Sequence, residues 1–235
     1  CGADLIRAGR ARAVVTGGYD ALSRFAWSGL GVLRTMTKDV VRPFDKNRDG
    51  TLFSEGAGAL VIESLESALE RKAPILAELA GYGLNNNAYH MTAPAKEGAG
   101  SAAVMRMALD DARMEPGAVD HINAHGTGTK PNDVTETQAI KSVFGEHARK
   151  VPITSIKASL GHMMGAAGSV EAIASILSLR DQVIPPTMNF KEADPECDLD
   201  YVFNVQRSFA MNAVLSNSAG IGGCNAAVVL QQVAS

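Results

Sequence analysis

Short apolar runs closed by glycine or polar turns recur along the chain and alternate with stretches of helical period. Ala13–Thr16, ended by Gly17 and Gly18, reads as a buried strand. Gly58–Glu63, Ile75–Ala80, Asp120–Ala124, Val151–Thr154, Ala213–Ser216 and Ala226–Leu230 share its length and apolar character. Among the intervening helical patterns are Ser101–Arg113 and Val134–Phe144, the second with Val134, Thr137, Ile140 and Phe144 on one face. Asn132 or Asp133 stands where a helix N-cap is needed, and Gly145 is the expected C-terminal stop. A third helix, Ser169–Leu179, carries Val170, Ile173, Ile176 and Leu177 as its stripe and stops before Pro185 and Pro186. Strands alternating with helices predict an α/β architecture. The softest boundary is Leu65–Pro74, where the charged helical segment Glu66–Lys72 joins two strand-like runs, and it divides the chain into 1–66 and 67–235.

Charge and cysteine usage narrow the function class. Lys and Arg number 22 against 25 Asp and Glu, a net charge of −3 that provides no electrostatic footprint for nucleic acid or an anionic membrane. A hydrophobic fraction of 46% with 20% charged residues excludes a disordered chain. Cys1, Cys197 and Cys224 are odd in number and form no CxxC pair, which argues against a disulfide framework or structural zinc and for a reducing, cytoplasmic location. Residues 208–235 carry no charge, but Asn212, Ser216, Asn217, Ser218, Gln231 and a glycine cluster interrupt them, so core strands are expected there rather than a membrane span. The chain opens at Cys1 with no basic and apolar leader; it reads as the later part of something longer, without a secretory signal.

Two metal-like patterns fail on their chemistry. Asp45, Asn47, Asp49 and Gly50 reproduce the start of a calcium loop, but the bidentate carboxylate required at the twelfth position falls on Gly56, with Glu55 one residue early. A polar turn is the simpler expectation. His121 and His125 have the spacing of a zinc-binding helix, yet Ile122 stands where glutamate is needed, and on a strand residues four apart lie ~13 Å from each other. No metal site is expected. GxSxG, GxGxxG and GxxxxGK[ST] motifs are absent, which removes the commonest hydrolase and nucleotide readings.

Three segments remain. Asn123–Thr129 places His125 at a strand end, followed by Gly126 and Gly128 and the hydroxyls of Thr127 and Thr129. Ser155–His162 puts Lys157 and His162 beside a helix N-terminus, whose positive end is expected to keep His162 neutral. Asn217–Gly223 is a glycine-rich turn able to aim amides at an oxyanion. Any one of these alone is more often a structural histidine or a plain turn. Together they supply two neutral donors, a cation and a set of amides, a combination suited to negative charge developing on a carbonyl oxygen.

With these residues in view the sequence resembles the β-ketoacyl-acyl-carrier-protein synthases, nearest the type II elongation condensing enzymes. The resemblance is carried in order by Val15–Gly18, Pro43–Lys46 with Arg48–Gly50, Glu55–Gly58, Tyr89–Thr92, His125–Thr127, Lys157 with Gly161–His162, Gly165–Gly168 and Asn217–Ser218. It implies a thiolase-like layered αβαβα fold, of which this chain would be the C-terminal half plus the end of the N-terminal half, working as a dimer. The implied reaction is a decarboxylative Claisen condensation between an acyl thioester and malonyl-acyl carrier protein. By motif match His125 and His162 would donate to the malonyl thioester oxygen, and Lys157 would hold the electrostatic network around His162 with Glu171 as its partner. Thr127 and Thr129 would bind the phosphopantetheine arm, which the carrier protein brings, so no separate cofactor is implied. The Ile221 amide would help form the oxyanion hole for acyl transfer.

Two departures from the family pattern matter. The reactive cysteine of the family stands upstream of the position of Cys1, and neither Cys197 nor Cys224 fits it; the nucleophile is expected in a preceding half or in a partner subunit. Ala219 and Ile221 occupy positions where elongation synthases place two gating phenylalanines, which leans toward a polyketide or unusual fatty-acid system. A non-catalytic chain-length-factor subunit and a non-decarboxylating thiolase are the alternatives. Retention of His125, Lys157 and His162 argues against the first, and His162 in place of a second cysteine against the other.

Overall fold

The computed structural model describes residues 1–233. In chain order, its first elements are helix α1 (Gly2–Arg7), strand β1 (Ala13–Asp20), α2 (Arg24–Val32), β2 (Gly56–Glu63), α3 (Leu65–Glu70) and β3 (Glu78–Asn86). The chain continues through α4 (Ala99–Ala112), β4 (His121–Asn123), α5 (Lys130–Phe144), β5 (Ile153–Thr154), α6 (Lys157–Leu160) and α7 (Ala167–Asp181). It closes with β6 (Val183–Ile184), β7 (Arg207–Ser208), β8 (Ala213–Ala219) and β9 (Cys224–Gln231). The main sheet has the order β3-β9-β8-β4-β5, antiparallel from β3 to β8 and parallel from β8 to β5. β1 and β2 form a separate antiparallel ribbon with Ala13 opposite Glu63 and Asp20 opposite Gly56, and β6 pairs with β7.

Alternation on the sheet decides the layers. Ile122, Leu215, Ala227 and Val229 face Val104, Met105, Ala108 and Leu109 of α4 and Ile140 and Phe144 of α5. Val214 and Leu230 face the other way, onto Ile176 and Leu179 of α7. The far side of α7 carries the β1–β2 ribbon, where the Gly58 position closes against Ser169. The order is therefore helices, sheet, helix, ribbon, with the ribbon's outer face (Val15, Tyr19, Val61) left uncovered by the described residues and Val15 74% exposed. Among the described residues no helix is long and apolar enough to cross a membrane.

Several expectations shift. The Ile75–Ala80 run starts its strand only at Glu78 and continues to Asn86. β1 runs four residues past Thr16 and is mostly exposed rather than buried, because only one face of the ribbon is covered. The stripe Val170, Ile173, Ile176 and Leu177 does not describe α7: Glu171, Ser175, Ile176, Ser178 and Leu179 are buried, while Leu177 is exposed. α7 lies between two β layers, so its environment selects small and charged-but-paired residues as well as apolar ones. α5 begins at Lys130, which puts Asn132 and Asp133 inside its first turn instead of at the cap; the cap residue is Thr129, with no side-chain bond. The Asp45–Gly50 stretch is the polar turn expected, with Lys46, Asn47 and Asp49 exposed. Asp45 is buried and accepts the amides of Asn47, Lys191 and Glu192 at 2.6–2.8 Å.

Candidate active site

The C-terminal ends of parallel strands β4 and β5 open into the two loops that carry the histidines, as expected for an α/β sheet. His125 leaves β4 on a backbone held from beneath by α5. The Glu136 carboxylate accepts the His125 and Gly126 amides, both at 2.8 Å, and the Asn217 side-chain amide at 2.7 Å. Gly126 has φ +40°, and a Cβ there would lie 2.5 Å from Ser155, so glycine is required for the turn. His162 sits on the second loop, past the end of the four-residue α6. Its backbone is pinned by segment 52–54: its amide donates to the Leu52 carbonyl at 2.7 Å and its carbonyl accepts from Ser54 at 3.0 Å.

The two imidazoles meet edge to face, with ring centroids 5.4 Å apart and planes at 84°. His162 Nδ1 accepts the Met164 amide at 3.1 Å, which assigns the ring proton to Nε2. Both rings are neutral. Burial pushes the His162 pKa down to about 3, with the Lys157 charge adding to it, and burial together with Lys157 and His162 holds His125 well below its ordinary value. The cause anticipated for His162, a helix N-terminus, is not the dominant one.

Lys157 is 1% exposed and forms a short ion pair with Glu171, itself 2% exposed. Its ammonium also donates to the His125 carbonyl at 2.6 Å, so its direct partner is the His125 backbone and not the His162 ring. Burial raises the Glu171 pKa, opposed by Lys157, and Ser218 Oγ donates to the other carboxylate oxygen at 3.3 Å. Thr127 and Thr129 share a hydroxyl bond of 2.9 Å on the rim of the His125 loop. In the glycine turn the amides of Gly220, Gly222 and Gly223 donate to Cys224, Met91 and Gly220 carbonyls; that of Ile221 is not among these bonds. Ala219 ends β8 and Ile221 stands exposed at the tip. A cleft of about 580 Å³ beside Lys157 is lined by Val41, Leu52, Phe53, Ser54, Gly161 and Asn189.

Cys197 does not have the surroundings of a nucleophile. Burial raises the Cys197 thiol to about 11, and Cys1 and Cys224 are exposed at the starts of α1 and β9. Glu136 and the ring of Phe53, 5.7 Å from that of His162, escaped the sequence reading. For Glu136 the available signal was its spacing from Asp133, which puts both carboxylates on one face of the helix that follows the histidine loop.

A model described as "Beta-ketoacyl synthase, N-terminal domain" matches residues 2–68, and one described as "Beta-ketoacyl synthase, C-terminal domain" matches residues 76–191. The chain belongs to the β-ketoacyl synthase family. Among curated relatives of this chain, the 3-oxoacyl-acyl-carrier-protein synthase 2 of Staphylococcus aureus is 46% identical over 97% of the chain and 58% of the relative. The protein of the same name from Synechocystis is 41% identical over 97% of the chain and 56% of the relative. The chain thus spans little more than half the length of these relatives. Among solved structures, the ishigamide ketosynthase/chain length factor matches with a TM-score of 0.95 and 46% identity, covering 99% of this chain and 57% of that one. A type II polyketide synthase acyl-carrier protein in complex with its ketosynthase bound to a hexaketide matches at 0.94 and 37%, over 99% and 59%. The fold is thiolase-like, and the order of helices, sheet, helix and ribbon supplies four of the expected five layers.

Proposed function

We propose that this chain carries the decarboxylation half of a β-ketoacyl synthase site, which condenses an acyl thioester with malonyl-acyl carrier protein. The observation that carries the reading is the pair of neutral imidazoles 5.4 Å apart, one with its proton assigned to Nε2. When the malonyl carboxylate leaves as carbon dioxide, the electron pair of the broken C–C bond moves onto the thioester carbonyl, and the resulting enolate oxygen needs fixed donors. His125 and His162 provide them without taking up a proton in each cycle, because burial and Lys157 keep both rings uncharged. The enolate carbon then attacks the acyl carbonyl, and the cysteine thiolate departs. That cysteine is contributed from outside this chain, consistent with the longer relatives.

Lys157, anchored by Glu171, donates to the His125 carbonyl and sets the field on both rings. Thr127 and Thr129 serve the pantetheine arm, and the Ile221 amide serves acyl transfer. With Ala219 and Ile221 where bulky gates stand elsewhere in the family, the acyl entrance is wide, which favours a polyketide or unusual fatty-acid substrate. Residues 1–66 and 67–235 belong to the two ketosynthase halves. A dimer is part of the same proposal, and the solved ketosynthase with its chain length factor supports a second ketosynthase-type subunit as the partner. A chain-length-factor role is the second reading, favoured by the ketosynthase/chain length factor match, but it gives no reason for the buried Lys157–Glu171 pair beneath a histidine dyad. In the full-length protein, His162→Ala is expected to lower malonyl decarboxylation by about 10²–10³-fold, the ~3 to 4 kcal/mol of one lost donor, while cysteine acylation stays measurable. Equal loss of both partial reactions would sink the assignment.

A further inference from the structure

Between the His125 loop and the Pro43–Gly50 turn lies a buried ion cluster that the steps above do not use. Asp133 is 0% exposed, and its oxygens are already committed: Oδ2 accepts the Phe44 amide at 2.8 Å, while Oδ1 accepts the Gly128 amide at 3.2 Å and the Asn132 side chain at 3.1 Å. Arg48, 2% exposed, brings Nε to within 3.6 Å of Oδ2, and Nε itself has no hydrogen-bond partner among the described residues. The guanidinium is held instead through Nη1, which donates to the Asp45 carbonyl at 2.7 Å and forms a short ion pair with Asp194. We propose that Arg48, anchored by Asp194, is a positioning residue for the His125 loop: it supplies the charge that lets one carboxylate grip the Phe44 and Gly128 amides at once.

The geometry explains why the charge matters. A carboxylate offers acceptors on both oxygens, whereas a protonated one turns one oxygen into a donor and releases an amide. Gly128 sits at φ +76°, three residues after His125, and its carbonyl accepts the Gly50 amide at 3.0 Å, so the same two loops are tied twice. Phe44, at φ +64°, stacks on Tyr201 with centroids 4.0 Å apart and closes under Gly126. Asp133 is faced by Arg48 from the turn, Glu136 from its own helix, and Cys197 and Tyr201 from the 190–201 segment. Of these only Arg48 is cationic. Burial lifts the Asp133 pKa to about 6 even with Arg48 opposing it, so losing that cation carries it into the working pH range.

This role deepens the condensing-enzyme reading, on which its kinetic test rests. In the full-length protein, Arg48→Met is expected to move the acidic limb of the malonyl decarboxylation profile up by about one pH unit, a roughly threefold deficit near pH 6.5 that closes in alkali. Arg48→Lys should recover most of it. A deficit equal at every pH, or a lysine variant as impaired as the methionine one, would overturn the role. A second arm needs no activity: amide exchange at Phe44 and Gly128 in the full-length protein, read near pH 6.5, should accelerate about threefold in Arg48→Met while Ile122 is unchanged. Unaltered protection overturns the proposal. If Arg48→Met does not fold, Arg48→Lys and Asp194→Asn carry the same comparison. Altered exchange without any wild-type decarboxylation refutes the reaction and leaves the positioning role standing.

Discussion

Lys157 and Glu171 are both almost fully out of water, and each has value only because the other is present. Removing the cation strands a buried carboxylate, so Lys157→Met is expected to cost about 3–5 kcal/mol in urea unfolding, whereas Lys157→Met combined with Glu171→Leu should recover much of the loss. A single variant as stable as wild type would show that Glu171 is neutral in the folded state. At this scale the sequence was informative about identity and poor on contacts. His125, Lys157, His162 and Glu171 stand out by residue type and motif, but the bond from Lys157 to the His125 carbonyl depends on where two distant loops arrive. Glu136 was passed over as a site residue, since a glutamate in a helix ordinarily faces water and only its spacing from Asp133 signalled otherwise.

Between elements, the contact that decides the second histidine is the seating of the β1–β2 ribbon on the turn before α7. A Cβ on Gly18 would lie 2.0 Å from the Gly165 carbonyl oxygen, and the Gly165 amide donates to Asp20 at 3.0 Å. That turn contains Met164, whose amide holds His162 Nδ1. Gly18→Ala should therefore lower stability by about 1–3 kcal/mol and lower Tm, as overpacking does. An unchanged Tm would mean the ribbon is not locked against the turn. The apolar runs marked β4, β5, β8 and β9 well, since these strands are largely covered on both faces, and missed most of the half-exposed edge strand β3. The same pattern read β1 as buried where this chain covers only one of its faces, and it misassigned the inner face of α7, where small and paired polar residues pack between two β layers beside the apolar ones.

For the molecule as a whole, acid is the weak point. His121, His125 and His162 are all held neutral, His121 and His162 with pKa values near 3 from burial, while each takes up a proton near 6.5 once unfolded. Their contribution is complete above pH 6.5 and is lost as pH falls from there toward 3, at up to about 1.4 kcal/mol per pH unit for each ring. Asp133, raised to about 6, works in the opposite direction below that pH and offsets one ring in part, and Glu171, also raised, opposes them at lower pH. Urea midpoints measured at pH 7.5 and 5.5 should fall clearly with acid; equal midpoints would mean the rings are charged or solvated in the folded state.

The order of apolar runs, glycines and charged motifs determined the α/β class, the family and the identity of the reactive groups, because these depend on local period and on residue chemistry. Tertiary structure alone decided which carbonyl receives the lysine, which carboxylates hold the histidine loop, and that burial, rather than a helix end, keeps the imidazoles uncharged. Those outcomes depend on distances and solvent exclusion between segments more than a hundred residues apart in places, such as the Gly18–Gly165 and Arg48–Asp194 contacts, and no local pattern encodes them.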